Sequence, residues 1–273
     1  MDKCLLLLIL LITGVFGRKA DFLMIVGGYG GRELDTVELK SQSSDAPLPE
    51  CLSSPRGNFP IKLQNAVGTF LGGRVIVCGG RDNNYNDLST CWSYDPAEDR
   101  WTEDGRMQEE KTRSAATLNT GTGNEWFVSG GYGNGEYKSS VERTSDGRNF
   151  ETFPQSMPIT LSSHCLVSLD GDGGDLFVTG GWDGSGYNSR TFIHKAGAWM
   201  EMERMPTPRL GLTCGPVRSQ PGGPVEKIVV SGGSGGSVGT RKEVEVYDVQ
   251  EDSWEEGRRN KRDKDLYCRC ILL

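Results

Sequence analysis

Five short runs of apolar and β-forming residues recur along the chain, and each ends in a pair of glycines. They are Leu23-Met24-Ile25-Val26 before Gly27-Gly28, Val75-Ile76-Val77-Cys78 before Gly79-Gly80, and Trp126-Phe127-Val128-Ser129 before Gly130-Gly131. Leu176-Phe177-Val178-Thr179 before Gly180-Gly181 and Ile228-Val229-Val230-Ser231 before Gly232-Gly233 complete the series. The doublets are 52, 51, 50 and 52 residues apart, a period that marks a repeat architecture. Each period has room for four strands of ordinary length. Strand b is the run before the doublet. Strand a precedes it, as at Ser114–Leu118 or Gly211–Val217. After the doublet comes a polar, glycine-rich loop, then strand c (Ser89–Tyr94, Lys242–Tyr247) and strand d, which carries Trp101, Trp199 or Trp254. No sustained 3.6-residue apolar stripe occurs, so helix should be scarce.

The chain opens differently. Lys3, the unbroken apolar run Leu5–Ile12 and the small residue closing Val15-Phe16-Gly17 have the order of a secretory signal peptide, with cleavage expected after Gly17. The run is too short to span a bilayer, and no later segment approaches the length required. The mature chain, residues 18–273, is therefore expected to be secreted, extracellular and soluble.

The period, the doublets, the c-strand Tyr94 and Tyr247 and the d-strand Trp101, Trp199 and Trp254 resemble the kelch repeat. The likeness covers nearly all of residues 18–273. The third repeat departs with Phe150 for Trp, the fourth has His194 near the Tyr position, and the first lacks both aromatics. The resemblance implies an all-β, kelch-type β-propeller of five four-stranded blades around Gly27, Gly79, Gly130, Gly180 and Gly232. After leader removal the first repeat lacks a strand a. Doublet-to-strand-a offsets of 40, 39, 35 and 34 residues, added to Gly232, predict a closing strand between residues 266 and 272 that completes the first blade. Six or seven blades are commoner in the family, so a shortened larger propeller is the alternative.

Net charge is −7, and no basic stripe is present to meet phosphates, so nucleic acid is not an expected partner. Of eight cysteines, Cys4 lies in the leader, leaving seven in a compartment that permits disulfides. Cys78 ends strand b and Cys91 lies on strand c of the same blade, where an antiparallel register could set them opposite each other, and a disulfide is expected there. Cys165 and Cys214 occupy equivalent inner-strand positions and read as small core residues. Cys51, Cys268 and Cys270 could tie the closing blade.

The b–c loops and the d-to-a connections emerge on one face of such a blade. The loops carry Tyr29, Arg81, Tyr85, Tyr132, Tyr137, Trp182, Asp183 and Tyr187. Strand a is entered through Lys62, Arg113 and Arg209, where the family often has Arg. Kelch adaptors commonly bind protein segments on this face, so the resemblance implies a protein-binding scaffold. Arg81, Arg113 and Arg209 would clamp carboxylates of an acidic segment while Tyr85, Tyr132, Trp182 and Tyr187 supply rigid contact area. A monomer without cofactor, metal or catalytic activity is expected.

Two other functions of the family are weaker fits. A structural or actin-type cross-linker would need self-association. Copper-binding relatives use two His and two Tyr, yet the only histidines, His164 and His194, fall on strands a and c in different layers. Asp170–Asp175 has the carboxylate spacing of a calcium loop but lacks a later bidentate Glu, and reads as a hairpin turn. Arg259–Arg262 resembles a furin-like processing site, and reads more simply as a solvated basic loop.

Overall fold

In the computed structural model the described residues are 8–12, 22–30, 32–41, 58–95, 98–121, 124–169, 174–220, 222–236 and 239–257. They form antiparallel sheets. The first joins β1 (Leu8–Ile12), β2 (Phe22–Val26) and β3 (Val37–Ser41). A two-residue strand, β4 (Leu63–Gln64), leads into the second sheet, β5 (Val67–Leu71) and β6 (Arg74–Cys78). β4 pairs with β7 (Arg81–Asp82), and β8 (Thr90–Asp95) and β9 (Arg100–Arg106) complete that sheet. The third contains β10 (Ala115–Asn119) and β11 (Glu125–Ser129). A small ribbon of β12 (Tyr132–Gly133) and β13 (Glu136–Tyr137) follows, and β14 (Val141–Thr144) and β15 (Glu151–Thr152) close the sheet. The fourth is β16 (Cys165–Ser168), β17 (Leu176–Thr179), β18 (Thr191–Lys195) and β19 (Ala198–Met202). The fifth is β20 (Thr213–Val217), β21 (Lys227–Ser231), β22 (Val244–Asp248) and β23 (Ser253–Glu256).

Sheets two to five each have four strands in sequence order, the a-b-c-d order of propeller blades. The chain divides into two compact units, one of residues 1–114, 132–136 and 142–152 and the other of the remainder, with the third sheet contributing strands to both.

The first sheet differs from expectation. The place beside β2, assigned by repeat spacing to a closing strand at 266–272, is taken by Leu8–Ile12, in register from Leu8 opposite Val26 to Ile12 opposite Phe22. An inner propeller strand needs apolar residues on both faces, and the aliphatic run read as a leader meets that need. The hairpin it makes with β2 is also local, with little loop-closure cost. Residues 266–272, Cys51, Cys268, Cys270 and Arg259–Arg262 lie outside the described residues, as do residues 170–173 of the Asp170–Asp175 turn.

The glycine doublets explain the period. Both glycines of every pair have positive φ, from 64° at Gly27 to 116° at Gly28 and from 57° at Gly130 to 100° at Gly131, which L-residues rarely adopt. The second glycine N–H donates to a carbonyl at the entrance of the next sheet. Gly28 bonds Leu63, Gly80 bonds Lys111, Gly131 bonds Leu161 and Gly181 bonds Arg209, each at 2.8 Å. The first glycine lies against the same carbonyl: a Cβ on Gly27 would sit 2.6 Å from the Leu63 oxygen, and Gly79 and Gly130 have the same conflict with Lys111 and Leu161. The doublet is thus a backbone clasp between consecutive sheets.

Core packing follows from strand alternation. In the first unit Phe59 packs edge-on against Trp92 and Trp101, with ring centroids 5.3 and 4.8 Å apart, over Val75, Val77 and Tyr94. In the second, Phe177, Ile228, Val230 and Tyr247 form one cluster and Phe127, Phe153, Leu161 and Val178 another. The c-strand Tyr and d-strand Trp are direct cross-strand partners, Tyr94 with Trp101 and Tyr247 with Trp254. His194 holds the Tyr place opposite Trp199 in the fourth sheet. Trp199 Nε1 donates to the Gln155 carbonyl and Trp254 Nε1 to that of Glu203, tying each outer strand to the preceding repeat.

Two disulfides reinforce the sheets. Cys78 and Cys91 are directly opposed on β6 and β8, and their bond closes the loop that carries Arg81 and Tyr85. Cys165 and Cys214 are also bonded, with Cα atoms 5.9 Å apart, which corrects their reading as ordinary core residues. Equivalent positions on β16 and β20 come together because those inner strands lie side by side.

Candidate functional site

The residue two places after the first glycine of the doublet is structurally equivalent in the second to fifth repeats. It forms a short antiparallel bridge with the residue that follows the clasp carbonyl: Arg81 with Gln64, Tyr132 with Thr112, Trp182 with Ser162, and Ser234 with Leu210. Tyr29 holds the corresponding position in the first repeat. The bridges fix backbone direction, so Arg81, Tyr132 and Trp182 are presented on rigid β geometry although they belong to loops.

In the first unit, Arg81 bonds Asp87 through Nε and Nη2, both at 2.7 Å, and lies over the Tyr132 ring at 5.8 Å. The Asp87 hydrogen bond raises the Arg81 pKa further and holds its guanidinium across the loop base. Tyr85, at the loop tip, is 74% exposed and has a φ of 65°. That conformation comes from an Asx turn, in which the Asp82 carboxylate accepts the Asn84 and Asn86 N–H groups. Arg113 is exposed at φ 56°, its N–H donated to the Asn65 carbonyl. Asn65 holds the same left-handed conformation, as do Ser163 and Gly211 in the second unit, where the Gly211 N–H bonds the Ser163 carbonyl.

In the second unit, Trp182 and Tyr187 meet edge to face, centroids 5.4 Å apart and planes at 83°. Trp182 is half-buried and Tyr187 is 37% exposed. Between them Asp183 accepts hydrogen bonds from the Ser185 and Gly186 N–H groups, the Ser185 hydroxyl and the Asn188 amide. Partial burial alone would push this carboxyl up, but the four donors outweigh it and hold its pKa at about 2.

Arg209 differs from Arg113. It is a clasp residue, fully buried, with its guanidinium 2.8 Å from Glu245 and Nη1 donating to the Gly232 and Glu243 carbonyls. No part of it remains for a partner, so its expected contact role gives way to a structural one. The other clasp residues are Leu63, Lys111 and Leu161, all buried. Lys111 reaches Glu142 and Glu109 at 3.4 Å. Burial raises the Glu142 pKa, opposed by Lys111 and the Gln108 N–H. Sequence reasoning placed Arg113 and Arg209 together because both enter strand a. A two-residue difference in phase exposes one and buries the other.

The histidines make local structural contacts. His164 Nε2 lies 2.7 Å from the Ser129 hydroxyl, and His194 Nδ1 lies 3.2 Å from the Gly174 carbonyl, its ring packed against Phe153 and Trp199.

The Kelch motif matches residues 63–108, less than half of the chain. The chain is 26% identical over 137 residues to spermatocyte protein spe-26 of Caenorhabditis elegans, a match covering 47% of this chain and 23% of that protein. It therefore spans under a quarter of that relative's length. The solved structure of YjhT superposes with a TM-score of 0.63 over 89% of this chain and 85% of that one, at 14% identity, a likeness of fold alone. Motif, sheet order and structural likeness together support a kelch-repeat β-propeller.

Proposed function

We propose that this kelch-repeat propeller is a secreted, non-catalytic scaffold that binds a protein segment through its b–c loops and strand-a entrances. The observation that carries the reading is one repeated position, directly after each doublet, that presents Arg81 and Tyr132 in one unit and Trp182 in the other on bridged backbone. Exposed Tyr85 and Arg113 extend the loops of the first unit, and exposed Tyr187 that of the second. Rigid aromatic and arginine side chains are the types that dominate protein recognition, because they bury large area at small entropic cost. Arg113 supplies a guanidinium suited to a carboxylate of an acidic partner segment, while Arg81, held by Asp87, contributes a planar surface. Two intrachain disulfides are compatible with an extracellular protein. Among the described residues no helix is long and apolar enough to cross a membrane.

The test is capture from the native extracellular fluid with wild-type bait and Arg113→Glu bait, partners being identified by crosslinking. Charge reversal should reduce recovery of the principal partner at least tenfold. Equal recovery by both baits would reject this surface.

A further inference from the structure

The loops of the two units differ in chemistry. Around the second-unit loop three aromatic rings gather. Trp182 and Tyr187 stand perpendicular at 5.4 Å, so their π faces form a corner. The Tyr137 ring abuts Gly184 at the loop tip: a Cβ there would lie 3.2 Å from it. Gly184 has a φ of 98° and must lack a side chain for the loop to fold over that ring. Asp183 lies at the base of the same loop, its carboxylate fixed by four neutral donors. The nearby cation, Arg190, is committed to Glu201 through two bonds of 2.9 and 2.6 Å and is stacked on Phe192. Aromatic faces carry negative potential, and an oriented carboxylate beside them adds to it. Phosphate or carboxylate groups would be repelled here.

We propose that the Trp182–Tyr187–Tyr137 corner is a subsite for an organic cation, a lysine, methyl-lysine or arginine side chain of a partner. It rests on the reading of this loop as part of a protein-binding surface, but its ligand has the sign opposite to that assigned to Arg113.

The probe is Nα-acetyl-Nε-trimethyl-lysine methylamide, compared with its neutral isostere in which a tert-butyl group replaces the trimethylammonium. Both are titrated into the full chain by calorimetry and by amide chemical-shift perturbation. The cation should bind saturably and about tenfold more tightly than the isostere, shifting amides of residues 182–188. Tyr187→Ala, a change at an exposed side chain, should abolish that preference, and Tyr187→Phe should retain it. Arg113→Glu should leave it unchanged, which separates failure of this subsite from failure of the carboxylate-binding surface. Equal affinity for the two probes, or no binding by either at millimolar concentration, would overturn the assignment.

Discussion

Replacing Arg209 and Glu245 tests whether these buried charges serve folding. The repeat itself supplies the comparison. Arg209 and Glu245 stand at the clasp and on strand c of the fifth sheet. The same two places hold Leu161 and Phe192 in the fourth sheet and Leu63 and Trp92 in the second. Arg209→Leu alone leaves the Glu245 carboxylate, 6% exposed, with only the Thr207 hydroxyl as partner. Glu245→Phe alone strands a guanidinium with no exposed surface. Each single change should cost about 3–5 kcal/mol, the range for an uncompensated buried charge. At this chain size that lowers the melting temperature by roughly 6–20 °C. The double variant copies an apolar solution already present in the molecule. It should lose only about 1–3 kcal/mol, because the Gly232 and Glu243 carbonyls still forfeit their donor. The assay is urea unfolding at neutral pH, followed by tryptophan fluorescence and far-ultraviolet circular dichroism. A double variant less stable than either single variant, with the two losses simply adding, would refute the claim that these residues form one ion pair.

Three further outcomes follow from the same physics. Removing the Cys165–Cys214 bond by double alanine substitution should cost about 4 kcal/mol and removing Cys78–Cys91 about 3, on loop lengths set by separations of 49 and 13 residues, as measured by chemical denaturation. Gly130→Ala should cost well above about 2 kcal/mol, since a methyl would both strain a positive φ and overlap the Leu161 carbonyl, whereas Gly232→Ala, with nothing within 4 Å, should cost about 1. Similar losses from the two would show that the close approach is irrelevant. Asp183, depressed to about 2, contributes stability above its unfolded pKa of 3.8 that is lost as pH falls towards 2, so Asp183→Asn should flatten the acid limb of a stability-versus-pH curve in that window.

The elements most legible in the sequence are those whose signal repeats. The doublets, the Tyr94–Trp101 and Tyr247–Trp254 pairs and the placement of His194 opposite Trp199 all follow from fixed spacing within a repeat. What spacing conceals is phase and neighbourhood. Arg209 lies 29 residues beyond Gly180 and Lys111 lies 32 beyond Gly79, yet both are clasp residues, because the intervening loops differ in length. Arg113, at nearly the same offset as Lys111, is exposed. The Cys165–Cys214 bond joins different repeats, and no pattern within one repeat announces it. Leu8–Ile12 is ambiguous for a physical reason: export and an inner β-strand both demand an uninterrupted aliphatic run. Among the candidate contacts, loop aromatics could be found by eye, but their arrangement as an aromatic corner depended on the backbone bridge between Trp182 and Tyr187.

The glycine clasp has a consequence for how such chains can change. What the clasp asks of the next sheet is a single main-chain carbonyl, which any residue can offer. What a clasp side chain asks for is a partner on its own sheet, as Lys111 finds in Glu142 and Arg209 in Glu245. The clasp is therefore indifferent to the identity of the residue that offers the carbonyl, and side-chain matching between sheets is left to particular links such as Cys165–Cys214. A mosaic of aliphatic and ionic clasp residues can coexist in one chain, as Leu63 and Leu161 beside Lys111 and Arg209 illustrate.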